Sequence, residues 1–229
     1  MYKKKPFFIV FEGIEGCGKS FQSKRFFKNL KKNKIQSIIT REPGGTKSAE
    51  LIRKLILSDY FQKSSKDKFD KYTDTLLYLA ARNEHVKEKI KPALKKKMVV
   101  ICDRFIDSTI AYQVYGKKVN YTFINNIHKT ILGNLKPNIV FVLKVSLKSS
   151  TQRLRKRKFK NRYDNFSSSF YQKAQKSFIK ISNKKKNYYV LDSSKNTNTP
   201  EKKILDITLN LLKKRWFLKI TLTPKKQCV

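Results

Sequence analysis

The sequence predicts a doubly wound α/β fold, a five-stranded parallel sheet with helices on both faces, and two observations carry that prediction. Short apolar runs of strand length alternate with amphipathic stretches of helix length along the chain. The first of these runs, Phe7-Phe-Ile-Val-Phe11, leads without a break into Gly13-x-x-x-x-Gly18-Lys19-Ser20, a glycine-rich strand-to-helix turn. Glycines at such a turn let backbone N–H groups face inward around a polyphosphate, and the helix that follows presents its positive end to the same anion.

Taken in order, the elements support that architecture. Phe7 to Phe11 is a buried parallel strand, and Ser20 to Lys32 a basic amphipathic helix offering Phe21, Phe26, Phe27 and Leu30 to a core face. Ile35 to Thr40 is a short strand closed by Arg41-Glu-Pro-Gly-Gly-Thr46, where Pro-Gly-Gly forces a turn and Thr46 can cap the next helix. That helix runs to about Ser58, with Leu51, Ile52, Leu55 and Ile56 on one side and Arg53 near its exposed edge. Tyr60 to Phe69 reads as a surface loop, and Asp70 to Lys91 as a long helix. Met98 to Cys102 is a second buried strand ending at Asp103-Arg104-Phe105; helices follow through Gln113 and over Tyr121 to Leu135. Pro137 precedes the strand Ile139 to Leu143, and Leu147 to Tyr163 is densely basic. A helix over Asn165 to Asn183, a strand over Tyr188 to Leu191 and a terminal helix through Trp216 complete the alternation. Residues 1–218 read as a single domain and 219–229 as a tail.

Composition narrows the function classes. A chain of 229 residues, 39% of them hydrophobic, buries a core without disulfide or metal staples. No apolar run is long enough to span a bilayer, and Met1-Tyr-Lys-Lys-Lys-Pro6 leads into a strand rather than a signal peptide. Cys17, Cys102 and Cys228 lack metal-type spacing, and so sparse a set points to a reducing cytoplasm. The 54 Lys plus Arg against 16 Asp plus Glu give a net charge of +38, which raises the reading of a nucleic-acid or membrane-surface binder. The lysines are spread over nearly every helix and loop instead of one stripe. That distribution favours compositional drift over a specific nucleic-acid site, although polyanions are still attracted non-specifically.

In a sheet of this kind the ligand crevice lies at the carboxyl ends of the strands, where Gly13–Ser20, Arg41–Thr46, Asp103–Phe105 and the segment after Asp192 all fall. Lys19 would reach the β and γ phosphates, and Ser20 would offer its hydroxyl to Mg²⁺. Asp103 has the position of an acid holding that metal directly or through water; alternatively, it caps the next helix. Arg41, Arg53 and Arg104 could grip a second, acceptor phosphate by bidentate contacts. Tyr78 and Arg82 lie four apart on one helical face, an aromatic ring and a planar donor suited to stacking on a base and bonding its edge. The arginines between 153 and 162 are either a solvated face or a segment that closes over the nucleotide.

These residues carry a family resemblance. The chain resembles the thymidylate kinase (dTMP kinase) family to about Trp216 through Phe11–Ser20, Thr40–Thr46, Leu79-Ala-Ala-Arg82, Ile90-Lys-Pro-Ala-Leu94 and Asp103–Gln113. A lone P-loop is shared by many enzymes; Arg-Glu-Pro-Gly-Gly-Thr together with Asp-Arg-Phe and Ser-Thr-x-Ala-Tyr-Gln is specific. The resemblance implies a three-layer P-loop kinase fold, ATP as donor, Mg²⁺ as cofactor, dTMP as acceptor, a cytoplasmic location and a homodimer. It places ATP against Gly13, Ile14, Glu15, Gly16, Cys17, Gly18, Lys19, Ser20 and Phe21. It gives Arg53 and Arg104 the dTMP phosphate, helped by the Arg41 loop, and sets Tyr78 under thymine with Arg82 on its O4 edge. Thr109 and Gln113 would approach the base, and Tyr112 would sit against the sugar. Ser20 and Asp103 would hold the metal.

The resemblance also implies a subtype. Glu15, near the acceptor sugar and the metal, stands where some members carry a basic P-loop residue, so cationic help would come from a lid at about 150–164, first Arg157 and then Arg153. The sequence departs from the family pattern at Asn161-Arg162, Leu143-Lys144-Val145, Leu147-Lys148 and Val114–Lys118, outside the phosphate and base contacts.

Overall fold

The computed structural model describes residues 5–57, 69–157, 163, 166–195 and 197–216. Its strands are β1 (Phe7–Glu12), β2 (Ser37–Arg41), β3 (Val99–Asp103), β4 (Ile139–Lys144) and β5 (Tyr188–Asp192). They form one sheet in the order β2-β3-β1-β4-β5, every pairing parallel, with Ile9 opposite both Ile101 and Ile139. β1 and β3 are buried along their whole length, so they carry uninterrupted apolar runs instead of an alternating pattern. All five carboxyl ends therefore open on one edge of the sheet.

The helices are α1 (Lys19–Lys32), α2 (Lys47–Leu57), α3 (Lys71–His85), α4 (Lys91–Lys95), α5 (Ile106–Thr109), α6 (Tyr121–Leu132), α7 (Leu147–Arg155), α8 (Ser168–Ser182) and α9 (Thr199–Trp216). Aromatic contacts fill the layers between sheet and helices. Phe105 meets Phe8 edge-on at 5.0 Å, and Phe11 packs against Phe26 at 6.3 Å and Phe141 at 5.5 Å. Glu201 of α9 ties that helix to α1 through Arg25 at 2.9 Å and Asn29 at 3.2 Å. Among the described residues, no helix is long and apolar enough to cross a membrane.

The element boundaries differ from expectation where the backbone has a local reason to stop or continue. The helix expected to end at Lys91 continues to Lys95, through a wide π-helical turn at Val86–Ile90. That turn breaks the regular hydrogen-bond ladder just ahead of Pro92, whose missing N–H then falls in the first turn of α4, where it is tolerated. α6 stops at Leu132, three residues early, because Gly133 takes φ 57° and leaves the helix. α8 starts at Ser168 because the Ser167 hydroxyl accepts from the Phe170 amide at 3.2 Å. The helix through Gln113 is α5 followed by a second π-helical turn, Ile110–Gly116. Most of the expected Tyr60–Phe69 loop, Lys158 to Arg162 and the 219–229 tail lie outside the described residues.

Helix starts fall into two kinds. α3, α6, α7 and α8 begin on Asp70, Asn120, Ser146 and Ser167, each with a side chain accepting from the first turn. α1 begins on Gly18, which has no side chain to do so. No side chain at its N-cap therefore accepts from the first turn of α1. Acids are scarce in this chain, and five of them, Glu12, Glu42, Asp74, Asp103 and Asp107, are buried.

Candidate active site

The carboxyl edge of the sheet carries a cleft of about 360 Å³. Its walls include Glu15, Gly16, Gly18, Lys19, Ser20 and Phe21 on one side and Arg41, Arg53, Tyr78 and Arg82 on the other. Asp103, Arg104, Thr109, Tyr112, Gln113, Arg153 and Arg157 complete the set, so nearly every residue singled out in the sequence converges here. Gly13, Ile14 and Cys17 do not line the cleft; Ile14 and Cys17 are buried behind the loop.

The donor wall is the loop between β1 and α1. Gly16 takes φ 71°, and a Cβ there would lie 2.7 Å from the Ser150 carbonyl oxygen, so the loop and α7 approach as closely as they do only with glycine. The Ser150 hydroxyl donates to the Glu15 carbonyl at 2.7 Å, and Ser193 beyond β5 donates to the Cys17 carbonyl at 2.8 Å. Lys19 is buried and folds over the loop, its Nζ donating to the Ile14 carbonyl at 2.8 Å. Ser20 Oγ donates to Asp103 Oδ2 at 2.5 Å, which brings together the hydroxyl and carboxylate expected of a metal pair. Asp103 does not cap α5; Glu12 of β1 does, as described below.

Facing that loop, Arg104 stands at φ 74°, a left-handed conformation that non-glycine residues adopt under tertiary constraint. Its guanidinium donates to the Gly13 carbonyl at 3.0 Å, Ser108 Oγ at 3.0 Å and Glu15 Oε1 at 2.7 Å, and lies 5.3 Å over the Tyr112 ring. Burial opposes ionisation of Glu15, but Arg104, Lys19 and Arg157 outweigh it and draw its carboxyl down to about 2. Arg157 approaches Glu15 Oε2 at 3.6 Å. Arg153 reaches instead across the loop, donating to the carbonyls of Gly16 at 3.2 Å and Ser193 at 2.7 Å. Arg53 donates to the Pro43 carbonyl at 2.7 Å, and Arg41, more than half exposed, pairs with Glu50 at 3.0 Å.

The far end of the cleft is a buried polar network that sequence reasoning did not reveal. Arg82 donates from Nε to Glu42 Oε2 at 2.7 Å, and from Nη1 to Thr109 Oγ1 at 2.8 Å and to His128 Nε2 at 2.6 Å. Its Nη2 meets the Phe105 carbonyl at 2.8 Å and Glu42 at 2.7 Å. Every Arg82 donor is thus taken within the protein, unlike the waiting base-edge donor expected from the sequence. Burial and the neighbouring Arg82 charge lower the His128 imidazole to about 3, so it is neutral and its Nε2 accepts. His85, the only other histidine, lies between Thr40 Oγ1 at 2.7 Å and Glu42 Oε1 at 3.1 Å. Glu42, His85 and Cys102 offer ligand atoms within 4.8 Å of one another. Glu42 is already paired with Arg82, however, and the Cys102 thiol donates to the Arg104 carbonyl at 3.1 Å, so the group is a hydrogen-bond knot.

Two buried polar atoms on the cleft wall have no protein partner: the Tyr112 hydroxyl and Gln113 Nε2. Buried donors left unpaired are costly, and their position on a cavity wall marks where a ligand would satisfy them. Tyr78 also lines this end, its hydroxyl hydrogen-bonded to that of Tyr163. Glu42, Ser108 and Tyr163 were not singled out as site residues. Glu42 and Ser108 lie inside the Arg41–Thr46 and Asp103–Gln113 motifs, which was the available signal.

A helix opening on a glycine loop, faced at close range by Arg104 across one cleft that also holds Tyr78, Thr109 and Gln113, is the arrangement of a P-loop nucleoside monophosphate kinase. A family model described as thymidylate kinase matches residues 11–204. Thymidylate kinase of Wolbachia pipientis from Culex pipiens is 43% identical over 185 residues, covering 79% of this chain and 83% of that one. The enzyme of Mycoplasma capricolum is 35% identical over 209 residues, covering 90% and 96%. The crystal structure of thymidylate kinase from Ehrlichia chaffeensis superposes with a TM-score of 0.70 at 30% identity, covering 89% of this chain and 99% of that one. The chain belongs to the thymidylate kinase family. It is an ATP-dependent phosphotransferase that converts dTMP to dTDP for dTTP synthesis.

Proposed function

We propose that the γ phosphoryl group of ATP, held by Lys19 and the amides of Gly13–Ser20, passes in line to a dTMP phosphate oxygen held by Arg104 and Arg53. The observation that carries this reading is the placement of Arg104 on the Gly13 carbonyl at 3.0 Å, which sets an acceptor-phosphate group directly against the donor cradle. The acceptor oxygen is already ionised, so no strong general base is needed, and rate comes from positioning and cationic stabilisation. Glu15 keeps Arg104 and Arg157 aimed at the same point. Arg157 meets the transferring group, while the carbonyl contacts of Arg153 suit it to clamping the loop at the nucleotide end.

The hydroxyl of Ser20 and the carboxylate of Asp103 are hard oxygen donors at the loop mouth, a set that fits Mg²⁺, and they would hold it there. Bound Mg²⁺ supplies charge neutralisation on the phosphate oxygens. Thymine lies in the recess of Tyr78, Thr109 and Gln113, with Tyr112 against the sugar; Arg82 meets O4 by exchanging its Thr109 partner. A coupled assay with ATP, Mg²⁺ and dTMP, run beside dUMP, dCMP, dGMP and AMP, tests the reading. Preference for any other monophosphate would overturn it.

We further propose a homodimer formed through α2, α3 and α6. Leu51 (66% exposed) lies on α2, Tyr72 and Leu76 four apart on α3, and Tyr121 on α6. An apolar surface running over adjacent helices supports a second copy of the chain as its cover. Sedimentation at monomer mass across micromolar concentrations would refute this. The free, buried thiols of Cys17 and Cys102 support a reducing, cytoplasmic setting, and the single sheet supports one domain; the lid expected at about 150–164 falls partly outside the described residues.

A further inference from the structure

Glu12 lies between the two phosphate-gripping walls yet lines neither. It is the last residue of β1, covalently joined to Gly13, and is 0% exposed. Its Oε1 accepts from the amides of Phe105 at 2.8 Å and Ser108 at 3.2 Å, and its Oε2 from the Ser108 hydroxyl at 2.6 Å. Phe105, at the start of α5, has no side-chain acceptor, so the cap of that helix comes from this distant strand. The same Ser108 oxygen accepts from Arg104 Nη1 at 3.0 Å, and the Arg104 amide donates to the Phe11 carbonyl at 2.9 Å, one residue before Glu12.

We infer that Glu12 is a positioning residue for the kinase reaction: one carboxylate fixes both the turn bearing Arg104 and the hydroxyl that orients its guanidinium, and so sets the gap between donor cradle and acceptor phosphate. A carboxylate suits the task because hydrogen bonds to an ionised acceptor are shorter and stronger than neutral ones. Holding it there is costly. Burial, and after it the charge of Asp107, push the Glu12 carboxyl up to about 7, against the opposing influence of Ser108 and Arg104. An acid retained in an otherwise apolar strand at that cost is better explained by aim than by packing.

The inference rests on Arg104 gripping the dTMP phosphate, and the test separates the two. Glu12→Ala, Glu12→Gln, Ser108→Ala and Arg104→Ala are compared for dTMP KM, ATP KM and kcat, with thermal melts to establish folding. Glu12→Gln keeps a carbonyl acceptor for the two amides but turns an NH₂ towards Ser108, and Ser108→Ala leaves the buried charge intact. Either therefore serves if Glu12→Ala does not fold. Loss of all three Glu12 contacts predicts a dTMP KM raised about tenfold in Glu12→Ala, and loss of the Ser108 hydroxyl contact alone about threefold in Glu12→Gln and Ser108→Ala, with ATP KM within about twofold. An unchanged dTMP KM in Arg104→Ala overturns the underlying reading of Arg104. A raised dTMP KM in Arg104→Ala beside wild-type values in Glu12→Gln and Ser108→Ala overturns the positioning role alone. Parallel rises in ATP and dTMP KM in the folded variants also overturn it, since they mean general loosening.

Discussion

Replacing Gly16 by alanine separates backbone strain from steric contact in the phosphate cradle. The residue holds φ 71°, and left-handed backbone costs an L residue roughly 1–2 kcal/mol. The new Cβ would also sit 2.7 Å from the Ser150 carbonyl oxygen and 3.1 Å from its Cα, against helix backbone that cannot swing away. Overpacking of that kind adds about 1–3 kcal/mol, so the total loss is about 2–5 kcal/mol. For a chain of this size the melting temperature should fall by roughly 4–20 °C. Gly18 provides the internal control. It holds φ 90° with no atom within 4 Å of its Cβ position, so Gly18→Ala should lose only the strain component, about 1–2 kcal/mol. Urea unfolding of both variants measures the difference. Gly16→Ala should also weaken ATP binding, because the displaced α7 carries Arg153 away from the Gly16 carbonyl. Equal stability losses at the two glycines would refute the steric argument.

Three further predictions follow from the same contacts. The Glu15 carboxyl is held at about 2 against a usual 4.5, so the stability it contributes is complete above pH 4.5 and lost as pH falls towards 2. The gap between wild type and Glu15→Gln in urea should be up to about 3 kcal/mol at pH 6 and close through that window; a gap independent of pH would contradict the assignment. Arg157→Ala should lower turnover at least about tenfold while leaving dTMP KM little changed, and undiminished turnover would remove Arg157 from the transfer step. Phe105→Ala removes a buried ring that meets Phe8 at 5.0 Å and lies under Arg82, and should cost about 3–5 kcal/mol in thermal unfolding; a loss below about 1 kcal/mol would show the space to be collapsible.

The sheet was legible because its central strands are apolar runs, a signal that depends only on local composition. The donor wall was legible for a similar reason: glycine spacing, Lys19 and Ser20 act through backbone positions near one another in the chain. What could not be read is long-range and polar. That Arg82 spends its donors on Glu42, Thr109, His128 and Phe105 depends on four separate segments meeting. Arg153 and Arg157 look interchangeable in a basic run. Arg153 lies within α7 and Arg157 just past its end, and only the folded chain shows that one bridges carbonyls while the other faces Glu15. Helix ends missed by a few residues were decided by Gly133 and Ser167, whose effects compete with the apolar periodicity around them.

The burial of five acids matters in a chain so rich in lysine. With 54 basic residues against only 16 acids, added lysines are tolerated on the exterior, where an extra ammonium merely meets water. At Glu12, Glu42, Asp74, Asp103 and Asp107 a lysine would instead put a cation where a buried carboxylate now accepts from a neighbour. Glu42 and Asp103 line the cleft, and Glu12 holds Ser108, which lines it too.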